Sequence, residues 1–195
     1  MKRNFITLLA AGMVSAAVLG GGVAFADSKN DQSEIALFQR AAHDINAAIK
    51  TAETASGGKA VGAEFEEKGN AGVWEVDTVV GTKRVEVKID AANGQVIKTK
   101  DKGDVADKDE PVTPDMLSAP LSDLVTKAEA EGGGKVISIK VEHKNGTLAG
   151  MSVEIVKADG TAHDFVLNQD GKLTPAAGDQ EDGQDGDGES GETNG

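Results

Sequence analysis

The sequence predicts an α+β protein made of two tandem repeats, each a single helix packed on a small antiparallel sheet of three to four strands. Three observations carry this prediction: a pattern that recurs along the chain, an amphipathic stripe heading each copy, and alternating apolar runs separated by glycine turns. Gly58-Lys59-Ala60-Val61 aligns with Gly134-Lys135-Val136-Ile137, and Trp74-Glu75-Val76-Asp77-Thr78-Val79 with Met151-Ser152-Val153-Glu154-Ile155-Val156. Val85, Val87 and Ile89 then match His163, Phe165 and Leu167, and Asn93-Gly94-Gln95-Val96 matches Asp170-Gly171-Lys172-Leu173. The offset drifts by only a residue or two, at turns, giving two copies of roughly 60 residues.

Each copy opens with a helix. In the first, Ile35, Phe38, Ala42, Ile45, Ile49 and Ala52 recur at steps of three and four, which places them on one face. Asp31-Gln32-Ser33-Glu34 resembles a capping box at its start, and Gly57-Gly58 ends it. In the second copy Leu121, Leu124, Val125 and Ala128 repeat the stripe between Pro120 and Gly132-Gly133-Gly134.

Alternating runs follow each helix. The first copy has 61–66, 73–80 and 83–89, and the second has 136–142, 151–156 and 162–167. Short fourth strands are expected at 95–99 and 172–174. Lys144-Asn145-Gly146 and Asp159-Gly160 read as hairpin turns, because glycine supplies the positive φ such turns need. One helix on so small a sheet is marginal in water, so the two copies are expected to pack on one another.

The remaining segments read by composition. Lys2 and Arg3, an apolar run from Phe5 to about Leu19, and Ala24-Phe25-Ala26 make residues 1–26 a secretory signal peptide, with Asp27 as the new N-terminus. The glycines at 20–22 and the A-x-A site argue against an uncleaved anchor. The first module is then 27–100, a Lys-, Asp- and Pro-containing linker 101–118, and the second module 119–175. The segment 176–195 is rich in glycine and acid, with Asp179, Glu181, Asp182, Asp185, Asp187, Glu189 and Glu192 and no basic residue. Such a composition buries too little apolar area to offset the entropy of ordering and is expected to be disordered.

Loss of Lys2 and Arg3 takes the formal charge from −13 to −15, which argues against nucleic acid and anionic lipid as partners. The chain has no cysteine, so neither disulfides nor a lipidated N-terminus are expected. No second segment is long and apolar enough to cross a bilayer, and the short signal favours a Gram-negative periplasm over an extracellular location.

With these elements in place, the chain resembles the PepSY domain family. The resemblance rests on the Ala-rich helix with its Gly-Gly-Lys stop, on Trp74 to Val79, and on Val87 to Val96. The second copy departs from the pattern, with Asn168-Gln169-Asp170-Gly171-Lys172-Leu173 in place of the D-A-x-x-G run. What the resemblance implies is a non-catalytic exported module. PepSY modules occur in propeptides of secreted metallopeptidases and in small exported proteins, and have been proposed to bind and restrain peptidases. It implies a protein partner and carries over no catalytic residue.

Nothing in the residues points to catalysis. There is no G-x-S-x-G, H-E-x-x-H or phosphate loop. His43, His143 and His163 share no metal-ligand spacing. A calcium loop beginning at Asp185 fails at its sixth position, where Ser190 replaces glycine. Glu64, Glu66, Glu67, Glu75 and Asp77 fall at strand positions expected to face solvent. No cofactor is expected. Trp74, the only tryptophan, has two readings: an aromatic anchor for a partner, or a core residue under the first helix against Phe38 and Ile45. The functional expectation is a protein-binding module. The alternatives are a small-ligand or metal-ion binder with a cleft between the copies, or a structural envelope protein with no specific partner.

Overall fold

The computed structural model describes residues 32–108, 110–144 and 147–176. The expected signal peptide, Asp31, the Asn145-Gly146 turn and residues 177–195 lie outside the described residues.

The chain runs α1 (Gln32–Phe38), α2 (Ile45–Ser56), β1 (Lys59–Lys68), β2 (Ala71–Val80), β3 (Lys83–Asp90) and β4 (Val96–Asp104). Two single 3-10 turns, Val105–Asp107 and Pro114–Met116, lead to α3 (Leu121–Gly132). Four more strands follow: β5 (Lys135–Lys144), β6 (Thr147–Val156), β7 (Ala162–Leu167) and β8 (Leu173–Pro175).

The fold is α+β as expected, but the two small sheets are not separate. All eight strands form one antiparallel sheet in the order β4-β3-β2-β1-β5-β6-β7-β8. The join is β1 to β5, with Ala63 opposite Ile139 and Glu64 opposite Ser138. β1 therefore sits in the middle of a sheet, and its burial is nearly continuous from Ala60 to Phe65, the mark of a strand covered on both sides. Both strands of the join carry a register irregularity at the same relative place, Ala60 to Gly62 in β1 and Val136 to Ser138 in β5.

The helices cover one face. Ile45, Ala48, Ile49 and Ala52 of α2 and Leu121, Leu124, Val125 and Ala128 of α3 are buried in a core shared by both halves of the sheet. That core includes Phe65, Trp74, Val76 and Ile89 from the first half and Ile139, Val153 and Ile155 from the second.

The single first helix expected from the stripe is broken. After α1 ends at Phe38 the chain turns, and the backbone amides of Ala42 and His43 both donate to the carbonyl of Ala91. Asp44 then caps a new helix, its carboxylate accepting from the amide of Ala47 at 2.9 Å. The apolar period survives the break, which is why periodicity alone runs through it. Replacing Asp44 by alanine leaves a helix-start amide unsatisfied. We expect the change to cost about 1 kcal/mol, read as a lowered urea midpoint with unchanged m-value. Both α2 and α3 end on a left-handed glycine, Gly57 at φ 74° and Gly133 at φ 66°, as the glycine stops predicted.

The segment expected as a linker does more than connect. β4 continues to Asp104, and the chain must then travel from this outer strand back to the middle of the sheet. It does so across the helix-free face. Val105 packs with Val61 and Val79 in a small second core, with Val112 against it. At the far end Ala176 is 3% exposed and its amide donates to the carbonyl of Asp164, so the fold extends one residue into the segment expected as tail.

Candidate interaction surfaces

Side chains alternate across a strand, so β1–β3 send every second residue to the face that lacks helices. There Glu64, Glu75, Asp77 and Arg84 line a groove of about 600 Å³, walled by Lys108 and Glu110 of the crossing segment and by His143. The carboxylates are half-buried rather than solvated as expected. Each has a cation: Glu64 pairs with Lys140 across the β1–β5 join, Glu66 with Lys68, Glu75 with Lys88, Asp77 with Arg84, and Glu86 with Lys102. Glu64 stands directly opposite Glu75, an arrangement that is unfavourable without such counter-ions. Burial, reinforced by Lys68, Lys102 and Lys98, pushes the Lys88 ammonium below its ordinary value, with Glu66 opposing.

Glu64, Glu66 and Glu75 also form the one trio of potential metal ligands among the described residues. Three lysines already neutralise them, so a cation would have to displace ion pairs to bind. The histidines do not converge. The His43 ring lies against Gly94, where an added Cβ would approach within 2.7 Å of it. His143 lines the groove, with Nδ1 3.9 Å from a carboxylate oxygen of Glu110. His163 Nε2 lies 3.1 Å from the hydroxyl of Thr161.

Trp74 has no accessible surface. Its indole N–H donates to the carbonyl of His43 at 2.8 Å, and its ring stands edge-on to Phe38 and Phe65, with centroids at 6.0 and 5.2 Å. As folded it offers a partner nothing to grip. The alternation that put a large aromatic on β2 points it at the helices. On that side a second cleft of about 760 Å³ opens between the α1–α2 turn and the end of α3. Phe38, His43, Ile45, Val136 and Val156 line it, and Trp74 underlies it.

Near the tip of the β1–β2 hairpin, α1 is tied down by polar contacts. The Ser33 hydroxyl bonds the Glu67 carboxylate, and the Glu34 carboxylate accepts from the amide of Glu67 at 3.1 Å. Burial, then the nearby charges of Glu66, Glu67 and Glu64, push the Glu34 carboxyl above its ordinary value, against the lowering effect of the Glu67 amide. A raised acid binds its proton more readily in the folded state. Its contribution to stability is therefore fully present below the ordinary glutamate range and is lost as pH rises through the folded value. Glu34→Gln is expected to raise the melting temperature slightly at pH 7, the gain shrinking to nothing below about pH 4, as thermal melts across that range would show.

The third surface is the outer edge of the sheet. β4 pairs with β3 on one side only. From Val96 to Asp101 it is exposed throughout, with Val96 at 42% and Ile97 at 57%. Beyond Asp101 the edge is closed, since the Lys102 carbonyl accepts from Lys108 Nζ and the Gly103 amide donates to the Asp101 carboxylate, and the exposed stretch before it is a ready template for another strand. The opposite edge, β8, has only three residues.

Residues 45–100 match the PepSY family, described as a peptidase propeptide and YPEB domain. This stretch is a PepSY domain. It spans α2, β1–β3 and the first half of β4, so the open edge is the domain's own outer strand and the β1–β5 join is its inner one. A search of curated proteins finds no match. Among solved structures, the chain is similar to the crystal structure of a candidate lipoprotein from Clostridium difficile 630. The two are 17% identical over 67% of this chain and 89% of that one, with a TM-score of 0.40. No helix among the described residues is long and apolar enough to cross a membrane.

Proposed function

We propose that this protein is an exported, non-catalytic binding module that holds a protein partner, a peptidase of the same periplasm, by adding an extended segment of that partner to the β4 edge. The observation that carries this reading is the outer strand of a PepSY domain, open from Val96 to Asp101. Backbone pairing along such an edge supplies affinity, and side chains at alternate positions supply selection. The family description favours a peptidase as the partner. Residues 1–26 are removed on export in this reading, and 119–175 are a second, diverged module of the same kind. The equal lengths of α2 and α3, their matching left-handed glycine caps and the matching irregularities in β1 and β5 support that duplication.

The test uses the chain from Asp27 to Gly195 as bait in periplasmic extract of its own organism. The captured peptidase is then purified and assayed with the parent protein and with Ile97→Glu, which alters an exposed edge side chain and leaves the core alone. Near-stoichiometric capture, with proteolysis slowed by the parent and not by the variant, supports the reading. Peptidases of that periplasm left unaffected at micromolar parent protein would sink the inhibitory part.

The helix-side cleft favours a second reading, a binder of a small, largely apolar ligand. A thermal-shift screen in which no compound raises the melting temperature would count against it.

A further inference from the structure

The β4 edge has a second property that backbone pairing alone does not explain. Lys98 stands opposite Lys88 and Lys100 opposite Glu86, and directly opposed residues share a face of the sheet. Lys98, Lys100 and Lys102 therefore line the helix-free side of the edge at a period of two. Lys102 is engaged by Glu86, whereas Lys98 and Lys100 are exposed and make no ion pair among the described residues. An edge so built repels a copy of itself, because pairing β4 with another β4 would bring lysine rows together. It suits an extended strand with carboxylates at alternate positions.

The chain carries such a segment. In Asp185-Gly186-Asp187-Gly188-Glu189 the acids fall at every second residue, so in an extended conformation all three line one face. The intervening glycines leave the opposite side without bulk, where Ile97 and Thr99 sit. We infer that residues 185–189 of one molecule dock as an added strand on the β4 edge of a second molecule, with Asp185, Asp187 and Glu189 over the Lys98–Lys100–Lys102 row. The inference rests on the same edge as the proposed function and gives that edge an occupant that a protein partner would have to displace.

Distance decides between a molecule's own segment and that of a neighbour. From β8 to β4 the sheet takes seven strand steps, roughly 33 Å at about 4.8 Å each. Nine residue steps lead from Ala176, which still bonds to Asp164 of β7, to Asp185. Fully extended they span at most about 32 Å, with nothing left to round the edge and turn along it. A neighbouring molecule meets no such limit. The contact joins two different surfaces, so it propagates head to tail instead of closing.

The experiment is sedimentation velocity on the chain from Asp27 to Gly195 in low salt. Four samples are compared: the parent, Lys98→Gln with Lys100→Gln, Asp185→Asn with Asp187→Asn and Glu189→Gln, and a one-to-one mixture of the two variants. The parent is expected to associate with rising concentration, about tenfold more weakly once salt screens exposed charges. Each variant alone is expected to be monomeric, while the mixture forms a dimer and no more, since it retains one intact edge and one intact acidic segment per pair. Matching thermal melts would show that both variants are folded. A parent that stays monomeric in low salt overturns the inference. So does a mixture that fails to dimerise while the parent associates, which would place the contact on other surfaces. A variant with residues 177–195 in scrambled order that associates as well as the parent overturns the strand pairing. Self-association needs no peptidase, so failed peptidase capture with intact association would remove the proposed function alone.

Discussion

Trp74→Ala is expected to remove about 3–5 kcal/mol, the usual cost of emptying a buried large aromatic site. Three losses combine at this position. The ring is fully buried, its edge-on contacts with Phe38 and Phe65 disappear, and the carbonyl of His43 loses the indole N–H that satisfies it. The His43 contact also holds the turn that separates α1 from α2, so the helices should loosen with the ring. Single domains have roughly 5–15 kcal/mol to lose, and the variant should be partly unfolded at 37 °C. Urea unfolding followed by far-UV circular dichroism measures this without relying on tryptophan emission. Trp74→Phe keeps a ring in place but leaves the carbonyl unpaired, and is expected to cost about 1–3 kcal/mol. A Trp74→Ala variant within 1 kcal/mol of the parent would mean that the aromatic trio does not hold the core.

Ile139→Asp is expected to be as damaging, and to report something different. Ile139 has no accessible surface and pairs with Ala63 where β1 meets β5. An aspartate there places an unpaired carboxylate in the shared core, at a cost of about 3–5 kcal/mol. Because that core holds residues of both halves, damage in the second half should be felt in the first. Trp74 lies in the first half and gives the readout: its fluorescence transition should move to lower urea together with the circular dichroism transition. A fluorescence transition that stays in place while circular dichroism falls in two steps would mean that the halves fold independently and that the join is only an edge contact.

Much of the local structure was legible in the sequence. The alternation over 162–167 coincides with the bounds of β7, and the glycine stops of α2 and α3 are left-handed caps. These features depend on neighbours within a few residues, where period and turn chemistry act directly. The break between α1 and α2 was not legible, because the apolar stripe continues across it. The interruption comes from two amides drawn to the Ala91 carbonyl and from Asp44 capping a new start. Asp44 was a usable signal, since aspartate just before an apolar periodic residue marks a helix start.

The candidate surfaces divide in the same way. The edge lysines are visible as K-T-K-D-K and the acidic period as D-G-D-G-E, but only the strand order leaves β4 unpaired on one side. Trp74 stood out as a lone tryptophan, and alternation alone could not say whether its face of the sheet would meet helices or solvent. The ion-paired carboxylates of the groove looked solvated because their counter-ions sit on neighbouring strands up to 76 residues away, as Glu64 and Lys140 do.

By itself the sequence determined the α+β class, the strands that follow each helical stripe and the PepSY resemblance, since each follows from patterns among near neighbours in the chain. The tertiary structure alone decided that all eight strands make one sheet, and that the segment between β4 and α3 crosses its bare face. Edge pairing between β1 and β5 is made by backbone groups that every residue type supplies. Side-chain period therefore records which face of a strand is buried, and is silent about which strand lies beside it.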